Sequence, residues 1–212
     1  MKPPHLGIEP VAEDPLADAP SQVSAWNIAN GLTVLRLALV PVFLVVLLHG
    51  TGMDAAWRVG AWAVFALASV TDRFDGEIAR RRGLITEFGK LADPIADKAL
   101  VGAALIGLSS LHELPWWVTV VILVREIGVT LLRFWVIRHG VIPASRGGKL
   151  KTLLQAVAIG LFVLPPYVWL RDIAWTVMVA AIIVALATGV DYVGRAVRLR
   201  RTGAATGAEA AS

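Results

Sequence analysis

Long apolar runs, separated by short polar segments, occupy most of this chain. A helix needs roughly 20 apolar residues to cross a bilayer, and six runs reach about that length. They cover residues 29–49, 56–76, 91–111, 115–137, 150–170 and 173–194. The pattern therefore predicts an all-α integral membrane protein with six transmembrane helices.

The composition supports this interpretation and marks the ends of the domain. Of the 212 residues, 57% are hydrophobic, and the mean hydropathy is +0.68. Residues 1–25 are rich in proline, alanine and acid and predict a flexible cytoplasmic tail, while 199–212 predict a disordered C-terminal tail. The segment 26–198 between them is expected to form a single membrane domain.

Basic residues are concentrated on one side of the predicted spans. Thirteen of them lie on that side and two on the other. The first set is Arg73, Arg80, Arg81, Arg82, Lys90, Arg138, Arg146, Lys149, Lys151, Arg195, Arg198, Arg200 and Arg201, and the second is Arg58 and Arg171. Because cytoplasmic loops carry the excess of lysine and arginine, both termini are expected in the cytoplasm. The net charge of +4 then reflects topology and attraction to anionic lipid, and no nucleic-acid partner is expected.

Four aspartates, Asp72, Asp75, Asp93 and Asp97, lie at the ends of two apolar runs, where charge is unfavourable. Helix positions three or four apart share a face, so these aspartates form two short stripes on adjacent helices. Small residues nearby leave room for a second helix or a ligand: Gly76, Ala79 and Gly89. Facing carboxylates repel one another unless they are protonated or share cations. An all-oxygen set without histidine or cysteine favours Mg²⁺ or Mn²⁺.

The same four aspartates are also compatible with roles other than a catalytic metal site. Each aspartate taken singly could cap a helix or pair with the arginines at 80–82. The set could also belong to a divalent-cation transporter or to a non-catalytic membrane scaffold. A transporter would need acidic residues near the bilayer midplane, on paths open to both sides, whereas these lie near one face.

The order Asp-x-x-Asp-Gly-x-x-Ala-Arg, eight residues, then Gly-x-x-x-Asp-x-x-x-Asp is present without a departure. It is formed by Asp72, Asp75, Gly76, Ala79, Arg80, Gly89, Asp93 and Asp97. This order resembles the signature of the CDP-alcohol phosphatidyltransferase family, and the resemblance covers about 27–195. It implies a six-span helical bundle in the cell membrane, a homodimer, and an active site that faces the cytoplasm.

The resemblance also implies roles for these residues. The four aspartates resemble the ligands of a two-metal centre holding Mg²⁺ or Mn²⁺, and Asp97 resembles the general base as well. Residues that resemble contacts to the CDP-lipid are Gly76, Ala79, Arg80 and Thr86. The implied chemistry is attack of an alcohol on a CDP-lipid, which joins the phosphatidyl group to the alcohol and releases CMP.

The first span opens with "NIANGLTVLRLALVP", in which Asn30, Thr33 and Arg36 share one helix face. It resembles the family's N-P-N-x-L-T-x-x-R-x-x-x-x-P opening, with Ala29 in place of the common proline. Asn30 and Thr33 are therefore expected to contact the CDP-lipid. An arginine one or two turns inside a span needs a partner or a cavity. The alternative is a capped helix start with Arg36 extended to the interface.

Two basic segments bear on the acceptor alcohol. "VREIGVTLLR" places charge inside the fourth span, where Glu126 is expected to meet another span, and "ASRGGKLKTLLQ" leads into the fifth. The residues expected to bind an acceptor phosphate are Arg125, Arg133, Arg146, Lys149 and Lys151. These segments, with Asp-Pro-x-x-Asp-Lys at 93–98, resemble the branch of the family that uses sn-glycerol 3-phosphate and makes phosphatidylglycerophosphate from CDP-diacylglycerol. Inositol phosphate or phosphatidylglycerol as acceptor, or an ordinary cytoplasmic loop with no acceptor site, are the alternatives.

Overall fold

Six helices make up nearly all of the structure, a computed structural model that describes the backbone of residues 28–50, 52–82, 87–136 and 146–209. Side chains are described for 31–50, 52–71, 95–132 and 147–198. The helices are α1 (Ile28–Leu47), α2 (Ala55–Arg82), α3 (Glu87–Ser110), α4 (Trp116–Val136), α5 (Arg146–Val163) and α6 (Val168–Glu209). The predicted N-terminal tail lies outside the described residues.

Each helix overlaps one predicted span, but several ends differ. The fifth span was predicted over 150–170, whereas α5 begins at Arg146 and ends at Val163, and α6 begins at Val168 rather than at 173. The second span was predicted to end at residue 76, and α2 continues to Arg82. The third was predicted from 91, and α3 begins at Glu87. α6 runs on to Glu209, beyond residue 198 where the membrane domain was expected to end. Arginine, glutamate and alanine are good helix formers, so a helix continues where hydropathy stops.

The helices pack around one apolar core. α1 lies against α2 and α3, α6 lies against α4 and α5, and α5 also contacts α2 and α3. All six helices contribute to the core: Phe43, Leu47, Ala61, Phe65, Ala68, Leu100, Ala104, Leu105, Leu108, Val118, Ile122, Ala158, Ile159, Phe162, Val163, Ala174 and Met178. Close approach of α1 to α3 depends on Gly107, because a Cβ there would lie 2.9 Å from the side chain of Leu47.

Large apolar side chains also cover the outside of the bundle. Val45, Leu67, Val124, Ile183 and Val190 are each more than half exposed. Among the described residues, one helix is long and apolar enough to cross a membrane, Val168–Arg198, and two shorter apolar stretches are Gly31–Leu47 and Ala55–Thr71. Large apolar side chains exposed on several helices fit contact with lipid rather than water.

An ion cluster closes the end of the bundle where α2 and α6 begin. We call Arg58, Glu113 and Arg171 the distal cluster: both guanidinium groups pair with the one carboxylate. Both arginines also donate to the carbonyl oxygen of Phe162, at 3.1 and 2.9 Å, and Arg58 Nε donates to the Gly52 carbonyl at 2.6 Å. The two basic residues predicted on the non-cytoplasmic side are thus used to hold helix ends together.

Candidate active site

The two aspartate stripes lie on two consecutive helices. The backbone is helical at Asp72 and Asp75 in α2, and at Asp93 and Asp97 in α3. The aspartates within each pair are three or four residues apart on an unbroken helix, so each pair shares a face, as the spacing predicted. Of the four carboxyl groups, only that of Asp97 lies within the described side chains, and it is partly buried.

A cavity of about 460 Å³ opens beside Asp97. Helices α2, α3, α4 and α5 form most of its wall, and Arg36 of α1 joins them. Most of the polar side chains gather where α3 and α5 enter the bundle, and Ser69 of α2 is a further polar residue of the wall. The others are Arg36, Asp97, Lys98, Glu126, Lys151, Thr152 and Gln155. The rest of the wall is mainly apolar. One space therefore joins a charged end to an apolar end, which is the form that an amphiphilic ligand requires.

Lys151 is held at the charged end by an ion pair between helices. Its ammonium group pairs with the carboxylate of Glu126, which bears out the expectation that Glu126 meets another span. Lys151 is only 5% exposed. Because an ammonium group in such a place needs an opposite charge, Glu126 fixes the position of Lys151 beside the same cavity as Asp97.

Arg125 contacts a different helix from its neighbour Glu126. Its Nε donates to the carbonyl oxygen of Ala185 at 3.0 Å, and its Nη2 donates to Thr188 Oγ1 at 2.9 Å. Its Nη1 lies 3.3 Å from Glu126 Oε1. The guanidinium group thus ties α4 to α6 and also touches the carboxylate that holds Lys151. It does not line the cavity in the part of the chain whose side chains are described.

Thr33 and Arg36 lie one turn apart on α1, and both are 1% exposed. Arg36 faces the cavity, so the expectation that it needs a partner or a cavity is confirmed. An arginine here brings a positive charge to the charged end from a fifth helix. The sequence suggested this possibility for Arg36 without assigning it a site role.

The remaining predicted site residues are divided between described and undescribed parts. Lys149 is exposed on α5, outside the cavity wall. The following lie in helices whose backbone is described without their side chains: Asn30, Gly76, Ala79, Arg80, Arg133 and Arg146. Thr86 lies outside the described residues. Their placement on the helix faces follows from spacing alone.

The chemistry of the aspartate side chains fits a divalent cation. Asp97 presents a partly buried carboxylate at the charged end of the cavity, and Asp93 lies one turn earlier on the same helix. Carboxylate oxygens are the preferred ligands of Mg²⁺ and Mn²⁺. Within the described side chains, no three aspartate, glutamate, histidine or cysteine residues lie close enough together to hold a metal.

Four further polar side chains at the cavity wall received no site role from the sequence, although three of them lie in the segments that resemble the family. They are Ser69, Lys98, Thr152 and Gln155. Gln155 is 4% exposed, although it follows Lys151 by one turn on an apolar helix. The spacing carried a signal, because Gln155 and Lys151 lie one turn apart and so place two polar residues on one face of an otherwise apolar helix. Lys98 is adjacent to Asp97, and a lysine at a span end is commonly attributed to the interface alone.

Comparison with known proteins gives a consistent result. The profile of the family described as CDP-alcohol phosphatidyltransferase matches residues 26–188. A probable phosphatidylglycerophosphate synthase of Mycobacterium tuberculosis H37Rv is 64% identical over 172 residues, covering 81% of this chain and 82% of that protein.

Two more distant relatives share one name, CDP-diacylglycerol–glycerol-3-phosphate 3-phosphatidyltransferase. The protein from Bacillus subtilis is 39% identical over 150 residues, covering 66% of this chain and 77% of the relative. The protein from Rickettsia prowazekii is 43% identical over 142 residues, covering 65% and 75%. The match spans most of the helical bundle in each case.

Proposed function

The chain belongs to the CDP-alcohol phosphatidyltransferase family, and we propose that it transfers the phosphatidyl group of CDP-diacylglycerol to sn-glycerol 3-phosphate. The products are phosphatidylglycerophosphate and CMP. The observation that carries the proposal is that Asp97 and Lys151, from different helices, line one cavity with a charged end and an apolar end. Membership of an enzyme family sets aside the transporter and scaffold alternatives.

The reaction needs a base at the acceptor hydroxyl. Asp97 is a carboxylate at the charged end, and it takes the hydroxyl proton as the oxygen attacks the phosphorus of the phosphatidyl group. A phosphorus–oxygen bond forms to the acceptor, and the bond to CMP breaks. Direct attack of this kind requires only that the acceptor and the CDP-lipid lie side by side in the cavity.

Two divalent cations would be held by Asp72, Asp75, Asp93 and Asp97. When bound, such ions neutralise phosphate oxygens and stabilise negative charge on the leaving group. We assign Gly76, Ala79, Arg80 and Thr86, with Asn30 and Thr33, to the CDP-lipid because they match the family's motifs. The small residues among them allow the pyrophosphate to approach the backbone.

The acceptor carries its own phosphate, and Lys151 is the described residue best placed to meet it. Its ammonium group is desolvated and is held in place by the ion pair with Glu126. Lys151 lines the same cavity as Asp97. Charge-assisted contacts to phosphate are the strong ones. Arg133, Arg146 and Lys149 would add positive charge around the entrance, and Arg125 would act by tying Glu126 to α6.

We further propose six membrane spans with both termini and the cavity's charged end in the cytoplasm, in a homodimer. Two observations support this topology. The basic residues assigned to the other side, Arg58 and Arg171, are both paired with Glu113 and so contribute little free positive charge there. Six helices also return the chain to the side where it began.

The test uses purified protein in detergent, CDP-diacylglycerol, and one acceptor at a time. CMP release is measured with sn-glycerol 3-phosphate, inositol phosphate or phosphatidylglycerol. We expect release only with sn-glycerol 3-phosphate. Release with inositol phosphate or phosphatidylglycerol instead would overturn the acceptor assignment and leave the family chemistry intact.

A further inference from the structure

The cavity beside Asp97 has an apolar arm that the reaction at its charged end does not use. The arm runs between α2 and α5, and its wall is made of Trp62, Phe65, Ala66, Val157, Gly160, Leu161 and Leu164. Helix α5 carries residues at both ends of the cavity. Lys151 marks the charged end, and Gly160 lies nine residues further along, a rise of about 14 Å at 1.5 Å per residue. An extended hydrocarbon chain fits a space of this form.

The middle of the arm is kept open by a glycine. A Cβ at Gly160 would lie 3.5 Å from Trp62 Nε1 and 3.9 Å from Phe65 Cε1. These are ordinary contacts, so alanine would fit, but any longer side chain would have to extend into the arm itself. Gly160 is buried, whereas Trp62 is 40% exposed. The indole therefore forms a side wall of the arm towards the surrounding lipid.

The charged end decides which chain can occupy the arm. Asp97 and Arg36 line the charged end, where the phosphates of the donor are expected beside the acceptor, and the arm belongs to the same cavity. A lipid held by its headgroup at the charged end would place a hydrocarbon chain along α2 and α5. An uncharged hydrocarbon would gain nothing from that connection.

We propose that the arm binds one acyl chain of the CDP-diacylglycerol donor, and that Gly160 and Trp62 set the chain length it accepts. The inference rests on the proposed function, because it takes the donor from it. It adds a specificity determinant that lies far from the reacting phosphorus. Filling the arm at Gly160 shortens it, and removing the indole of Trp62 widens it at the same depth.

The experiment is a competition between two donors in one reaction. CDP-dilauroylglycerol and CDP-dipalmitoylglycerol are mixed in equal amounts with sn-glycerol 3-phosphate, and the two lipid products are quantified by mass spectrometry. The product ratio reports the ratio of kcat/KM values and does not depend on how much active enzyme is present. A variant that folds less well can therefore still be compared.

Gly160→Leu is expected to raise the dilauroyl-to-dipalmitoyl ratio about tenfold, since each buried methylene changes affinity about fourfold and at least two would be excluded. Gly160→Ala is expected to give a smaller shift in the same direction, and Trp62→Ala a shift the opposite way. The matched control is Gly194→Leu, an exposed helical glycine with open space around it, which should leave the ratio unchanged.

An unchanged ratio in both Gly160 variants would overturn the proposal, and so would an equal shift in the Gly194→Leu control, which would indicate a general effect on lipid contact. The wild-type reaction separates this failure from failure of the proposed function. If wild-type enzyme forms neither product from sn-glycerol 3-phosphate, the acceptor is wrong. If it forms both while the variants keep its ratio, only the acyl-chain site is wrong.

Discussion

Glu126 of α4 pairs with Lys151 of α5 across the charged end of the cavity, and Arg125 contacts the same carboxylate while bonding to α6. The carboxylate thus links α4 to α5, and Arg125 extends the link to α6. This arrangement holds a desolvated ammonium group in a fixed place before any substrate arrives. A binding group positioned in this way loses less conformational entropy when the ligand binds.

The ion pair between Glu126 and Lys151 should contribute to the stability of the protein independently of substrate binding. Glu126→Gln leaves Lys151 buried without its opposite charge, and breaking such a pair destabilises a protein by up to about 3–5 kcal/mol. Adding Lys151→Gln should restore much of the lost stability, because two neutral groups no longer need each other. Thermal unfolding in detergent measures both effects, and an unchanged Tm in Glu126→Gln would contradict the ion pair.

Loss of Lys151 should act mainly on the acceptor. Lys151→Gln is expected to raise KM for sn-glycerol 3-phosphate about 10- to 100-fold, the value of a lost charge-assisted contact of about 1.5–3 kcal/mol. KM for CDP-diacylglycerol should change little. If the two KM values rise together, Lys151 does not distinguish the acceptor. The Glu126→Gln, Lys151→Gln double variant should remain as poor with the acceptor as Lys151→Gln, despite its recovered stability.

Asp97 should be indispensable. Asp97→Asn keeps the side-chain shape but removes the base and one proposed cation ligand, so CMP release should fall by at least about 10²–10⁴-fold. The matched control is Asp191→Asn, which removes an exposed carboxylate that pairs with Arg195 in the next turn of α6. Full activity of Asp97→Asn would refute its role as base.

Activity should depend on a divalent cation. Removal of metal by a chelator is expected to abolish CMP release, and Mg²⁺ or Mn²⁺ should restore it, since the proposed ligands are all carboxylates. In Asp93→Asn, more cation should be needed for half-maximal activity. Isothermal titration of the chelated protein with Mn²⁺ gives a readout independent of turnover. Undiminished activity after exhaustive chelation would argue against the metal centre.

The distal cluster should matter for stability alone. Glu113→Gln leaves Arg58, which is 1% exposed, and Arg171 without their shared carboxylate, so Tm should fall by several degrees. KM for both substrates should be unchanged because the cluster lies at the other end of α3 from Asp97. Arg195→Gln, which breaks an exposed pair, serves as the control and should barely alter Tm.

Topology can be tested by single cysteines, since the natural chain has none. Met53→Cys and Lys149→Cys place exposed thiols at opposite ends of the bundle. A membrane-impermeant maleimide should label the first in intact cells and the second only after the membrane is opened. Labelling of both residues from one side would contradict the proposed arrangement of the spans.

The sequence predicted the number of helices and the aspartate stripes because both depend on local pattern. It also predicted that Glu126 meets another span, since a buried carboxylate needs a partner. It did not separate Lys149 from Lys151. These two lie on different faces of α5, and which face meets the cavity depends on how α5 is rotated against its neighbours. That rotation is set by packing, and it buries Lys151 while leaving Lys149 exposed.

Which neighbour the side chain of Arg125 contacts could not be predicted from the sequence, for a similar reason. Its position on α4 permits contact with either the cavity or the neighbouring helix, and the acceptors on Ala185 and Thr188 become available only when α6 packs alongside. The end of α6 was missed because hydropathy measures where apolar residues stop. Helix formation continues for as long as the residues favour it.

The length of α6 has a practical consequence. Its 42 residues extend about 63 Å at 1.5 Å per residue, roughly twice the 30 Å hydrocarbon core. A helix with that excess extends beyond the bilayer, and the hydrogen bonds from Arg125 to Ala185 and Thr188 fix its membrane part within the bundle. In the proposed topology, a fluorescent protein or affinity tag fused after α6 would therefore lie well clear of the membrane surface and away from the route by which a soluble acceptor reaches the cavity.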